Sequence, residues 1–412
     1  MDSENVLLAR QPIYDDNLSV VAYELLFRPS KADQHSDNQE NQADWDGDKA
    51  TSQVIINAMA EIGLHSAADN KPAFINFTQR WLESPPPFDK KAVTIELLEC
   101  IKPSPSVIES VQSLVKDGYT VALDDFEFGE EWIPLLELVQ IVKVDVLVHT
   151  GEKLEALIKQ LEPFQVKLLA EKVENYAVYE HCKELGFVMF QGYFFCRPQN
   201  ITGTAIPANK LVVMKLLAEL QKPDVEIADL ESLITNDPSL SIKLLRIFDS
   251  AAFTLRSKVD SVRKAIVLFG LKQLRSWASV IALSQLSDKP NELIITTLTR
   301  AKMMETMASH IPGANPDSFF TAGLFSTIDA FFDQTKDVIF NSLPLDESIT
   351  NALLKFEGEM GISLRNVIRQ EQGQWDQIEW DYLALYEIDE NRIETIYLDA
   401  LKWAGEIVRS LI

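Results

Sequence analysis

Cysteine is scarce in this chain of 412 residues: only Cys100, Cys182 and Cys196 occur, and no two form a CxxC pair. That excludes a disulfide framework, and because none is spaced with histidine partners it excludes a structural zinc site as well. A reducing cytoplasm is the expected compartment. Long apolar runs are missing too. No segment offers about 18 consecutive uncharged apolar residues, and the opening MDSENVLLARQPIYDD carries acids early, so neither a membrane span nor a signal peptide is expected. Bases are outnumbered, 38 against 62 acids, giving a formal net charge of −24. A surface of that sign repels polyanions, which argues against a general binder of nucleic acid or of membrane surfaces. A phosphate ligand then needs a local device, either a metal ion or a single well-placed arginine.

What remains is ample for folding: 46% of the residues are apolar, enough for two cores of about 200 residues each. In the first half, short β-rich runs alternate with helical patterns. SVVAYELLF (19 to 27), AFINF (73 to 77), AVTIEL (92 to 97), YTVALD (119 to 124), QIVKVD (140 to 145), VKLLA (166 to 170) and FVMF (187 to 190) are separated by stretches such as ATSQVIINAMAEIGL, PSVIESVQSLVKDG and YAVYEHCKELG. Repeated β-then-α units predict a parallel sheet, and about seven of them predict a closed TIM-like (β/α) barrel. Residues 31 to 48 are almost wholly polar and read as a solvated loop. Asp44, Asp46 and Asp48 alternate there around Gly47, but that glycine is misplaced for a calcium loop and the closing Glu is missing.

After Pro198 every apolar pattern becomes helical. Asp237-Pro238 reads as an N-cap with proline at the first helical position, and Leu240, Leu244, Leu245 and Phe248 mark a buried face. Ser261 caps a next helix whose Ala265, Ile266, Leu268 and Phe269 run to a stop at Gly270. The expected organisation is a barrel over 1–205 and an all-helical domain over 206–412, joined through NITGTAIPAN.

Acids inside β-runs carry the chemical information, because a carboxylate at an otherwise apolar strand position costs several kcal/mol unless paired or bound to a cation. Glu24, Asn76, Glu96, Asp124, Asp125, Lys143, Glu171 and Gln191 nearly all fall toward the carboxyl ends of their strands, the face on which barrel enzymes build their sites. Singly, such residues are most often helix caps or surface ion pairs. Together, Lys143 apart, they form a set of hard oxygen ligands suited to magnesium or manganese rather than zinc. Two adjacent aspartates suit a metal pair about 4 Å apart, the arrangement for in-line displacement at phosphorus. The reaction class indicated is phosphodiester hydrolysis.

These residues resemble the EAL domain. QPIYDDNLSVVAYELLFR resembles its opening segment, which makes Glu24, here in Glu-Leu-Leu, a metal ligand and Arg28 the holder of a substrate phosphate, with Gln11 and Pro12 as further substrate-binding positions. FINF supplies the metal-binding Asn76. TIELLE supplies the ligand Glu96 and a loop-stabilising acid, Glu99. VALDDF supplies Asp124, Asp125 and Phe126, and VKVD the active-site Lys143. AEKVE resembles Ala-Glu-Gly-Val-Glu, making Glu171 the general base and Glu174 its supporting acid, and FQGYFFCRP places Gln191 near the attacking water. The resemblance covers residues 8 to 200 and implies cyclic di-GMP as substrate, two magnesium or manganese ions per barrel, and in-line attack by a water that Lys143 and Glu171 activate. One loop departs: the family's Phe-Gly-Thr-Gly-Tyr-Ser-Ser, which couples dimerisation to the metal site, is FEFGEEW here, with Glu127 at the glycine position and further acids at Glu130 and Glu131.

The second half resembles the HDOD domain in SLSIKLLRIFDSAAF, KAIVLFGL, TRAKMMETMA and TAGLFSTIDAFF. The resemblance implies no metal there, since GLFSTID offers Ser326 and Thr327 where a His-Asp pair would sit, and His310, the half's only histidine, reads as a polar residue rather than a ligand. Arg246, Arg256, Lys258, Arg263, Lys264, Lys272 and Arg275 read as a solvated basic face or as a docking surface for an acidic partner or for the acidic first half. Two readings of the whole follow from the EAL–HDOD resemblance. One is a cyclic di-GMP phosphodiesterase with a helical regulatory module, in bacterial motility or biofilm control. The other is a catalytically silent adaptor that binds nucleotide, a protein partner through its helical half, or a second copy of itself as a homodimer.

Overall fold

The computed structural model of the protein describes residues 6–29, 64–83, 89–199, 208–221, 226–248, 261–286 and 289–411, with the backbone alone at some positions, Arg28 among them. The solvated loop at 31–48, its calcium alternative, and most of the helical stretch ATSQVIINAMAEIGL lie outside the described residues. The chain divides into two compact units, Met1–Phe194 and Phe195–Ile412.

Unit one is a closed barrel of β1 (Val6–Tyr14), β2 (Val20–Pro29), β3 (Ala73–Phe77), β4 (Val93–Leu97), β5 (Thr120–Leu123), β6 (Ile141–Asp145), β7 (Lys167–Glu171) and β8 (Met189–Gln191), hydrogen-bonded in chain order. From β2 to β8 neighbouring strands are parallel, as the alternation of patterns predicts. The expectation of an all-parallel sheet fails at β1. That strand is antiparallel to both β2 and β8 and closes the barrel as one arm of a hairpin. The hairpin is set by Asp15, whose carboxylate accepts the backbone N–H of Asn17 at 2.9 Å and of Ser19 at 2.8 Å, while Leu18 takes a left-handed φ of 60°. The opening segment is therefore two strands and a tight turn.

Side chains alternate across each strand, so one face of every strand points into the barrel. Ile13, Ala22, Phe74, Ala122, Ile141 and Leu169 form a buried apolar layer inside it. Two residues further along, on the same inward face, stand Gln11 (β1 runs the other way), Glu24, Asn76, Asp124, Lys143 and Glu171. The rim of polar groups is thus the layer above an apolar plug, and period-two alternation carries each one there. Helices outside cover the sheet. Pro105–Lys116 is capped by the Ser104 hydroxyl, which accepts the N–H of Val107 at 3.3 Å, and buries Val107, Val111 and Leu114. Tyr176–Glu184 is capped in the same way by Asn175.

Unit two is helical throughout its described residues. Asp237 accepts the N–H of Leu240 and Ser261 that of Lys264, so both expected caps form, and the helix Val262–Phe269 stops at Gly270 with φ 83°. Three positions on the expected apolar faces differ. Leu245 and Phe269 are half-buried and Leu268 is exposed, whereas Leu240, Leu244 and Phe248, and Ala265 and Ile266, turn fully inward. The helix Asn291–Ala308 is buried on nearly every side between Pro316–Phe325 and Glu390–Leu411. Its approach to Pro316–Phe325 is close enough that a Cβ on Gly323 would lie 2.5 Å from the Ala301 Cα. No helix among the described residues is long and apolar enough to cross a membrane.

Candidate active site

Lys143 stands at the centre of the rim. Fully buried on β6, its Nζ lies 2.6 Å from Glu96 Oε1, 2.7 Å from Asp124 Oδ1, 2.8 Å from Glu171 Oε1 and 3.4 Å from Glu24 Oε2. Four strands thus direct carboxylates at one ammonium. Strand register explains part of the convergence: Asn76 is aligned with Glu96 across β3 and β4, and Gln11 with Glu24 across the hairpin. Gln191, from β8, donates to Glu24 Oε2 at 2.5 Å and to Gln11 Oε1 at 2.8 Å, tying the first and last strands to the ring.

One ammonium cannot balance four carboxylates, and the proton affinities of two of them, Glu96 and Glu171, register the excess. Burial, then the Glu24 charge, holds the Glu96 carboxyl well above its ordinary range despite Lys143. Burial and the neighbouring Asp124 and Glu24 push Glu171 up to about 8, again against the pull of Lys143. Lys143 itself, which burial alone would drive toward neutrality, is held charged by Glu171, Glu24, Glu96 and Asp124, so its pKa rises. Glu96 Oε2 and Glu171 Oε2 are buried without a hydrogen-bond donor, and so is Gln191 Oε1 without a partner. Oxygen-only donors, an excess of negative charge and unsatisfied carboxylate oxygens are the environment a hard divalent cation relieves. The residues present therefore fit magnesium or manganese. No three acids or histidines among the described residues are yet drawn into a cage, since the Lys143 ammonium sits where they converge.

The two adjacent aspartates part company. Asp124 faces Lys143, whereas Asp125, at φ 39° past the strand end, is exposed and lies 3.4 Å from Lys172 Nζ. Lys172 also reaches Asp145 Oδ2 at 2.5 Å, and Asp145 Oδ1 accepts the N–H groups of Leu147 at 2.7 Å and Val148 at 3.2 Å. Neither Lys172 nor Asp145 was marked by sequence as a site residue. Asp145 is two residues beyond Lys143 on the same strand face, a signal that was available; Lys172 replaces the glycine of Ala-Glu-Gly-Val-Glu, another one.

Of the remaining candidates, Glu99 is exposed and lines a cavity of about 470 Å³ together with Asp124, Asp125, Glu127, Trp132, Asp145, His149 and Lys172. Glu174 is exposed and is not among those lining residues. Pro12 is buried in the hairpin beside Gln11. Arg28 lies on β2 opposite Leu7, and its side chain is outside the described residues. In the divergent loop, Phe126 is buried and meets the edges of Phe128 and Trp132 at 6.5 and 5.8 Å between ring centroids, leaving Glu127 exposed. The glycine after Gln191 is obligatory: at φ 148°, a Cβ on Gly192 would lie 2.1 Å from the Val173 carbonyl oxygen.

In the helical unit Ser326 and Thr327 are engaged in side-chain bonds. Arg300 makes a buried two-pronged ion pair with Glu371 at 2.7 and 2.8 Å and reaches the Ser326 hydroxyl at 3.4 Å. Thr327 shares a 2.6 Å hydrogen bond with Thr297. His310 meets Arg392 at the surface. In the basic stretch, Arg263 is exposed and paired with Glu231 at 2.8 Å, while Arg256 and Lys258, and the side chains of Arg246 and Lys272, lie outside the described residues.

Comparison with known proteins agrees with this architecture. Residues 2–198 match the EAL domain and residues 206–334 the HDOD domain. The uncharacterized protein YuxH of Bacillus subtilis is 32% identical over 414 residues, covering 98% of this chain and 99% of its own. The cyclic di-GMP phosphodiesterase CdgJ of Vibrio cholerae is 31% identical over 409 residues, covering 98% and 93%. Among solved structures, an EAL domain protein of Listeria monocytogenes is 20% identical with a TM-score of 0.37, over 46% of this chain and 87% of that one. The FimX EAL domain of Pseudomonas aeruginosa bound to c-di-GMP is 17% identical, also with a TM-score of 0.37, over 46% and 89%. With an EAL barrel followed by an HDOD helical domain, and relatives matched over nearly its whole length, the chain belongs to the two-domain EAL–HDOD family that includes a cyclic di-GMP phosphodiesterase.

Proposed function

We propose that the barrel rim hydrolyses cyclic di-GMP to the linear dinucleotide pGpG in a divalent-cation-dependent reaction. The observation that carries the reading is the convergence of Glu24, Glu96, Asp124 and Glu171 on the buried ammonium of Lys143. Glu24, Asn76, Glu96 and Asp124 would hold the cation. Magnesium or manganese bound there supplies positive charge and Lewis acidity toward the phosphodiester. The other roles fall to the protein. Water forms the new bond to phosphorus as the P–O3′ bond breaks, Glu171 takes the water's proton, and the departing O3′ acquires one from solvent. Lys143 and Gln191 fix the water and the Glu24 carboxylate, and Glu99 and Glu174 support the loops that follow Glu96 and Glu171. Gln11, Pro12 and Arg28 would bind the substrate, Arg28 through a phosphate oxygen.

A proton affinity as high as that of Glu171 is unsuitable for a base at neutral pH until a cation offsets the neighbouring carboxylates. A cation held by Glu24, Asn76, Glu96 and Asp124 would lower that affinity, leaving the Glu171 carboxylate able to take the water's proton. The HDOD unit, with its Ser326 and Thr327 engaged in structural bonds, serves as a docking module for a protein partner or a second copy of the chain. Purified protein incubated with cyclic di-GMP and manganese, then resolved by chromatography, should yield pGpG, and Glu24→Ala and Lys143→Ala should each abolish it. Cyclic di-GMP bound but never opened, with both variants indistinguishable from wild type, would leave the adaptor reading in place.

A further inference from the structure

The ion-pair geometry beyond the Lys143 ring divides the rim into two unlike halves. Around Lys143, four carboxylates face one ammonium, with Glu96 Oε2 and Glu171 Oε2 lacking any donor. Around Lys172 the balance is different. Two carboxylates, Asp125 and Asp145, face its ammonium, and Asp145 is further neutralised by the amides of Leu147 and Val148. The lysine side chain is half exposed and Asp145 nearly buried, and both line the same cavity as Asp124 and Asp125. Lys172 reaches this position because the chain just after β7 turns through a left-handed φ of 56°, a conformation that costs a side-chain-bearing residue about 1 kcal/mol or more. A lysine kept where glycine would be unstrained needs a compensating interaction, and the two carboxylates provide it.

We infer that Lys172 is a resident cation: its ammonium fills the Asp125–Asp145 half of the rim, so that each barrel takes up one divalent ion, at the Lys143 half, rather than two. A fixed ammonium between two carboxylates excludes a second ion by charge and by occupancy, because Asp125 and Asp145 could ligate that ion only after releasing Lys172. This rests on the proposed cation dependence of the site. Lys172 is here a positioning residue that sets the number and place of the ions.

The test is manganese titration of the full-length, metal-free protein, counting bound ions by equilibrium dialysis and recording the electron paramagnetic resonance spectrum. Wild type should bind one manganese per chain, with the six-line signal of an isolated ion. Lys172→Gly should bind two and show the broadened spectrum of an exchange-coupled pair. Glycine relieves the left-handed backbone, so this variant should melt no lower than wild type, and Lys172→Gln, which keeps a side chain but loses the charge, should also bind two. Lys172→Arg should stay at one. Two coupled ions in wild type, or one ion in both Lys172→Gly and Lys172→Gln, overturns the role of Lys172 and leaves the cation-dependent reading intact. No manganese bound by wild type or variant overturns that reading and this inference with it.

Discussion

The ammonium of Lys143 lies 2.6 Å from the carboxylate of Glu96, and solvent reaches neither side chain. A buried ion pair contributes little net stability on average, yet removing one partner strands the other. At Lys143 four carboxyl groups would be left facing one another. Lys143→Met should cost about 3 to 5 kcal/mol in cation-free protein near pH 8, and much less near pH 5, where the carboxylates can take up protons. Urea denaturation at the two pH values measures this, and equal losses at both would contradict it.

The same ring sets the pH dependence of the unliganded fold. Glu171 is pushed up to about 8 and Glu96 is held above its ordinary range, so the folded state binds protons that the unfolded chain has released. Each contributes stability that is present below the unfolded carboxyl value and lost as pH rises through the folded one. Between pH 5 and 8.5 the urea midpoint of cation-free protein should fall steadily. Glu171→Gln should flatten the slope, and saturating manganese should reverse the loss. At pH 7, manganese binding should also release a proton, read by calorimetry as a binding enthalpy that varies with the ionisation enthalpy of the buffer.

Gly192 offers a purely steric test. Gly192→Ala sets a methyl group against the Val173 carbonyl at a backbone angle side chains avoid. The expected loss is about 3 kcal/mol, with Gln191 displaced from Glu24. A melting temperature equal to wild type would show that the loop shifts freely.

In the helical unit, Glu371→Gln should destabilise by about 3 kcal/mol or more, because the buried Arg300 then loses its two-pronged ion pair. The double change Arg300→Met with Glu371→Leu should recover most of that loss, since apolar residues of similar volume fill the same space. Thermal unfolding of the single and double variants decides the matter. A double variant as unstable as the single one would mean that the pair contributes attraction well beyond its desolvation cost.

Much of the rim was legible because β-strands alternate: Glu24, Asn76, Glu96, Asp124, Lys143 and Glu171 each follow an inward-facing residue by two positions. Asp145 obeys that same rule, but it follows a charged residue, Lys143, rather than an apolar one, so alternation alone does not mark it as chemical. Lys172 was harder to see, since its partnership with Asp125 spans 47 positions and depends on a left-handed turn that its residue type does not advertise. The antiparallel β1 was hidden by its neighbour. Read as one segment, QPIYDDNLSVVAYELLFR conceals the hydrogen bonds from Asp15 that fold it into a hairpin. In the helical half, caps were readable from Asp237 and Ser261. The exposure of Leu268 was not, because it depends on which neighbouring helices are present.

Isotope tracing of the opened phosphodiester reports directly on whether water attacks phosphorus. Cyclic di-GMP and manganese are incubated with wild-type protein in water enriched in oxygen-18, and the linear product is weighed by mass spectrometry. In-line attack by one water at phosphorus predicts pGpG carrying a single heavy oxygen on its terminal phosphate, absent with Glu171→Gln. Intact cyclic di-GMP after saturation with protein and manganese, or a product without the label, would rule out in-line hydrolysis at this rim.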